Sequence, residues 1–255
     1  MILQVGLDES GYGQTGADEA FVFAGYVGPV THIEAFTHVW DDILKREPAL
    51  SAKKLKKLVR SRHSPDPRVK LLVETVRACH LHGVRFKIVQ DDHSAMMKMI
   101  APLTVNNPRA RLISSNPYFF AFMGLLLRLI GEIWNDPDAK IEVIYDENIQ
   151  ERPKLEQGYA LFRTFAEKFG PKFLGKLAKD PVPRNDEEFF LLRAADALAW
   201  HSHKAHVQTC HGRDYENEIW EALNSVPFFV DEHWKIDDLR EVVESMIRSR
   251  LRRDP

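Results

Sequence analysis

Three aspartates stand where carboxylates do chemistry. Asp8 ends an alternating segment in which Leu3, Val5 and Leu7 point one way and Gln4, Gly6 and Asp8 the other. A glycine-punctuated turn, Glu9-Ser10-Gly11-Tyr12-Gly13, follows it at once. Asp146 ends the β-branched run Ile141 to Tyr145, and Asp196 sits inside an apolar, alanine-rich stretch, Leu191 to Trp200. If the first and fourth strands are neighbours and parallel, ~4.8 Å separates them, and Asp8 and Asp146 bracket one ion. Small residues around Asp196 let its helix lie close to the sheet and carry a third carboxylate in. Hard cations such as Mg²⁺ or Mn²⁺ choose oxygen ligands of this kind. Two such ions ~3.5–4 Å apart would activate water and stabilise the leaving oxygen of a phosphodiester. The same acids also have plainer uses. Asp8 can cap the turn, Asp146 with Glu147 can open the next loop, and Asp196 can pair with Arg193.

Other groupings carry less. His201, His203, His206, Cys210 and His211 invite a zinc reading, but they match no standard zinc spacing. His203 follows Asp196 by seven residues, so it shares that helix face and either approaches a phosphate or is a solvated histidine at a helix end. Cys79-His80-x-His82 reads as a helix terminus. Gly11, Gly13 and Gly16 make no dinucleotide fingerprint, because no helix opens directly after them. Phe119, Phe120 and Phe122 read as core rather than as a base-stacking platform, whereas the turn residue Tyr12 either stacks on a base or sugar or only covers a core edge.

The elements that must position these groups follow from the pattern. Residues 2–8 and 20–27 predict an antiparallel hairpin across a short polar loop. Residues 31–46 predict a helix capped by Thr31 with Glu34 three residues on. A helix over 68–82 closed by Gly83 and a strand over 84–90 come next. A helical excursion covers about 92–134, with an irregular part to 116 and an apolar helix over 118–134. After the strand at 141–145, the pattern predicts a helix over 153–169 and a fifth strand over 172–178. A helix from about 186 to 204, started by Asn185 and Glu188, and a C-terminal helix over 236–252 complete the series. Strands alternating with helices give a single α/β domain over 1–255 with a mixed sheet of about five strands.

Composition narrows the class. The 255 residues are 44% hydrophobic and 28% charged, which excludes a disordered or collagen-like chain. The two cysteines exclude a disulfide scaffold. The acidic start at Asp8-Glu9 is unlike a signal peptide, and no apolar run is long enough to span a membrane. The expectation is a cytoplasmic protein without membrane contact. The formal charge of −2 gives no global basic field. Basic residues do cluster locally, at Lys53, Lys54, Lys56, Lys57, Arg60 and Arg62, at Arg163, Lys168, Lys172, Lys176 and Lys179, and at Arg248 to Arg253. Such runs either track a phosphate backbone or form a solvated helix face.

Leu7-Asp-Glu-Ser-Gly11, the strand Phe21-Val-Phe-Ala-Gly25, Val143-Ile-Tyr-Asp146 and Leu192-Arg-Ala-Ala-Asp-Ala-Leu-Ala199 together resemble the bacterial domain-of-unknown-function family 3800 (DUF3800). The likeness runs from about residue 2 to about residue 206. It implies a ribonuclease H-like mixed sheet flanked by helices, and a metal-dependent nuclease with Asp8, Asp146 and Asp196 as catalytic metal ligands. Mg²⁺ or Mn²⁺ would be the cofactor, with no organic group. Nucleic acid would be the partner, held by Lys53, Lys54, Lys56, Lys57, Arg60, Arg62, Arg193 and His203. Arg193 departs from the family, which has glutamine there. A fourth acid is unassigned among Glu9, Glu34 and Glu147, with Glu147 favoured because it abuts Asp146. The alternative is a non-catalytic module of the same fold that binds nucleic acid or protein, since fold alone does not establish activity.

Overall fold

The computed structural model describes residues 1–11, 19–46, 67–104, 116–147, 152–178, 180–215 and 218–238. In chain order the elements are β1 (Ile2–Ser10), β2 (Ala20–Pro29), α1 (Val30–Arg46), α2 (Pro67–Ala78), β3 (His82–Val89), α3 (Gln90–Thr104) and α4 (Pro117–Glu132). There follow β4 (Lys140–Asp146), α5 (Arg152–Phe169), the single turn α6 (Pro171–Leu174), β5 (Val182–Arg184), α7 (Leu191–Cys210), α8 (Glu218–Asn224) and β6 (Phe228–Trp234).

The strands form one six-stranded mixed sheet in the order β5-β4-β1-β2-β3-β6. β2 runs antiparallel to its neighbours β1 and β3, and β4, β5 and β6 are added in parallel to theirs. The early hairpin therefore forms as its apolar alternation predicts, and Leu7 pairs with Gly25 across it. β2 is buried along nearly its whole length, as befits a central strand covered on both faces.

The period-2 alternation divides the sheet into two faces. Leu3, Val5, Leu7, Phe21, Phe23, Phe86, Val143 and Tyr145 face an aromatic core closed by α4 and α5. In that core Phe119, Phe120 and Phe122 are buried, and Phe23 meets Tyr118 edge-on at 5.1 Å. Ala20, Val22, Ala24 and Tyr26 face the other way, onto a core closed by α1, α2, α7 and α8. Asn116 caps α4: its side chain accepts from the Tyr118 N–H at 2.9 Å, and Pro117 sits in the first turn.

Several expected boundaries move. α1 begins at Val30, so Thr31 lies inside the helix rather than capping it. α2 stops at Ala78, where His80 takes a left-handed φ of 52°, and Gly83 is part of β3 rather than a helix cap. Residues 172–178 do not form the fifth strand. They hold α6 and one isolated bridge between Leu177 and Ile141, and the fifth strand is Val182–Arg184. Pro183 fits there because β5 is an edge strand paired only with β4. Asn185 caps a turn, accepting from the Glu187 N–H at 2.7 Å, and α7 starts only at Leu191 and runs on to Cys210. β6 and α8 lie outside the expected series. Beyond residue 238, the C-terminal helix expected over 236–252 lies outside the described residues, as does the irregular part of the excursion at 105–115.

Candidate acidic site at the strand ends

β1 and β4 are adjacent and parallel, with Leu7 level with Tyr145. One residue further on, Asp8 and Asp146 come side by side at the strand ends. Both occupy the even positions of their strands, opposite in face to Leu7 and Tyr145, which belong to the aromatic core. They therefore share the face crossed by α7. Gln4 and Glu142, in the same row of even positions, confirm the common face through a 2.7 Å hydrogen bond.

α7 is held close against β1 by two glycines. A Cβ on Gly6 would come within 2.8 Å of Leu191, and one on Gly11 within 2.9 Å of His203. Twelve helical residues rise roughly 18 Å and five strand residues about 17 Å, so the helix runs alongside the strand in step with it. Asp196, five residues in, lies roughly 7.5 Å along the helix, which is level with Asp8. Asp8 and Asp146 thus end neighbouring strands, and Asp196 lies on the helix that crosses this face of the sheet. The Glu9 N–H donates to Asp8 Oδ1 at 2.8 Å and orients that carboxylate.

Gly11 takes a φ of +87°, and a Cβ there would fall 2.0 Å from the Ala20 carbonyl oxygen. Only glycine lets the turn leave β1 beneath the helix. His203 is 1% exposed, not a solvated histidine at a helix end, and its Nε2 lies 2.8 Å from Glu19 Oε2. Glu19 thus adds a carboxylate to this end of the sheet. Nothing in the local spacing announces it, since its partner lies 184 residues away.

The remaining candidates separate. Arg193 turns its guanidinium toward Asp186, at 3.3 Å, and Glu187, at 4.0 Å. Glu147 is exposed beyond the end of β4, its N–H bonded to the Arg184 carbonyl. Glu9 occupies the opposite strand parity from Asp8, and Glu34 is exposed on α1. Lys53, Lys54, Lys56, Lys57, Arg60, Arg62, Tyr12 and Arg248 to Arg253 lie outside the described residues. Of the scatter around Arg163, the Lys168 and Lys179 side chains lie outside what the structure describes, and the other three do not form a single surface track. Lys176 is buried with its ammonium on the Ile133 carbonyl at 3.0 Å, Arg163 donates to the Ala178 carbonyl, and Lys172 lies over the Trp134 ring.

The histidines of α7 have separate partners: His201 with Tyr215, His203 with Glu19, and His206 with Cys210 and Lys87. Among the described residues no group of three or more His, Cys, Asp and Glu is placed to hold a metal ion. Asp8, Asp146 and Asp196, all of them described, do not form such a group. Among the described residues no helix is long and apolar enough to cross a membrane. No family model matches the chain, and no curated protein matches it.

Proposed function

We propose that the chain is a metal-dependent nuclease of ribonuclease H-like architecture, akin to DUF3800, that hydrolyses phosphodiester bonds with Mg²⁺ or Mn²⁺. The observation that carries this reading is the parallel register of β1 and β4, which sets Asp8 beside Asp146 on the face crossed by α7, with Asp196 level with them. An all-oxygen donor set suits a hard divalent cation. When bound, such an ion would acidify a water and neutralise charge on the phosphoryl oxygens. Asp8 and Asp146 would supply ligands from the sheet and Asp196 from the helix. The Glu9 N–H would keep the Asp8 carboxylate turned, and Glu19 would fix the His203 ring at the mouth. The early antiparallel hairpin and the parallel strands added beyond it support the fold assignment.

The absence of a closed three-ligand group among the described residues favours a second reading, a non-catalytic module that binds nucleic acid or protein. One experiment separates the two. Labelled single-stranded and duplex DNA and RNA are incubated with the protein in Mg²⁺, Mn²⁺ or EDTA. Metal-dependent cleavage that disappears in Asp8→Ala and Asp196→Ala supports the nuclease. Binding without cleavage, unchanged in both variants, rejects it in favour of the module.

A further inference from the structure

The opposite flank of α7 carries a different chemistry. At roughly 100° per residue, Asp196 and His203 are about 20° apart around the helix, whereas Ser202 is turned about 120° from Asp196. Ser202 lines a cleft of about 300 Å³ that also takes in Lys87 of β3, His233 of β6, His206, Tyr215 and Trp220. Lys87 and His233 are directly paired across β3 and β6.

The charges of this cleft do not balance within the described residues. Arg85 is occupied: it makes two parallel bonds to Asp231, at 2.8 and 2.5 Å, and a third to Asn224. Glu232 is held by Arg128. Lys87, by contrast, has no carboxylate in ion-pair contact, and its Nζ lies 3.2 Å from His206 Nδ1. Desolvation and the nearby Arg85 both push its ammonium below the ordinary lysine range. Because the ammonium donates to Nδ1, the neutral His206 ring keeps its proton on Nε2, which faces Cys210 Sγ at 3.4 Å. Ser202 is 4% exposed and among the described residues its hydroxyl has no hydrogen-bond partner, nor has the buried His233 Nε2. Unpaired donors and a half-buried cation around one cavity are costly unless a ligand completes them. A metal is the wrong ligand, because the Lys87 ammonium already occupies His206 Nδ1. An oxyanion is the right one.

We propose that this cleft binds a phosphate monoester, whose phosphate oxygens accept from Lys87 Nζ, Ser202 Oγ and His233 Nε2 while its organic part lies against Tyr215 and Trp220. Its volume is at the lower end of small-ligand clefts, which run roughly 300–1,000 Å³. The proposal does not depend on the nuclease reading, since the aspartates lie on the other flank of the helix.

The test is calorimetric titration of the full chain, in EDTA, with inorganic phosphate, adenosine monophosphate and adenosine. The expected result is measurable binding of phosphate, tighter binding of the monophosphate and little binding of adenosine. Lys87→Met should weaken the monophosphate roughly ten- to a hundred-fold, and Ser202→Ala, which leaves the charge and the packing in place, about three- to ten-fold. Absence of phosphate binding would overturn the proposal. So would adenosine binding as tightly as its monophosphate, or monophosphate affinity unchanged in Ser202→Ala. Circular dichroism checks that Lys87→Met is folded; if it is not, the Ser202→Ala result decides.

Discussion

Removing Glu19 should loosen the seat of α7 at the acidic end of the sheet. His203 is 1% exposed, and its contact with Glu19 at 2.8 Å ties the fourth turn of the helix to the start of β2. Glu19→Ala leaves a buried imidazole nitrogen without this partner, a change that costs about 1–3 kcal/mol. Glu19→Gln keeps the shape but exchanges a carboxylate acceptor for a neutral one, so roughly half of that loss is expected. For a chain of this size each kcal/mol moves the midpoint by about 2–4 °C, so Glu19→Ala should melt roughly 2–12 °C below wild type. The assay is thermal and urea unfolding of wild type, Glu19→Ala, His203→Ala and the double variant. Because the two residues touch, the cycle should give a coupling energy of about 0.5–3 kcal/mol. Additive losses, with coupling below about 0.3 kcal/mol, would refute the idea that the pair acts as a unit.

Three further outcomes follow from particular contacts. Gly11→Ala forces an alanine to a φ of +87° with its Cβ 2.0 Å from the Ala20 carbonyl; the left-handed backbone alone costs about 1–2 kcal/mol, and urea unfolding should show at least that loss. Lys176→Ala removes an ammonium bonded to the Ile133 and Asp136 carbonyls just past α4, and should cost about 1.5–3 kcal/mol by the same measurement. Burial, with Lys87 and Lys235 nearby, holds the His233 imidazole down to about 4, below its unfolded value of 6.5. The unfolded chain therefore binds the extra proton between those values, so the His233 contribution is present above pH 6.5 and is lost as pH falls toward 4. His233→Gln should flatten the pH dependence of stability in that window by about 1–2 kcal/mol, allowing for solvent screening of a half-buried ring. An unchanged pH slope would place the sensitivity elsewhere.

What the sequence discloses depends on how local the cause is. The β1–β2 hairpin, the apolar helix α4 and the strand ending at Asp146 are each written in a run of side chains with its own period, and each forms where that period places it. β1 and β4 are neighbours and parallel, as the reading of two parallel strands ending in Asp8 and Asp146 supposes. β5 and β6 are harder to read. β5 is three residues with a proline at its centre, and β6 interrupts its apolar pattern with Asp231, Glu232 and His233. Both are edge strands, whose stability comes from the neighbour they join rather than from their own residues. The helix at Leu191 illustrates a different failure. Asn185 and Glu188 have the spacing of a capping box, but the Asn185 side chain satisfies the Glu187 N–H in a turn, and the helix proper begins six residues later with no side-chain cap.

The same distinction explains the site. The three aspartates stand out because each ends a strand or interrupts an apolar helix, where a carboxylate is locally anomalous. Glu19, Lys87 and Ser202 are locally ordinary, and only the tertiary arrangement gives them partners or leaves them without one. α7 is the element that does this. Its small residues let it lie against β1 and β2, with His203 on Glu19 along one flank and Ser202 and His206 lining the cleft beside Lys87 on the other. Leu191 against Gly6 and His203 against Gly11 hold this helix close to β1 at two points along its length. One helix therefore carries side chains both to the Glu19 contact and to the cleft beside Lys87.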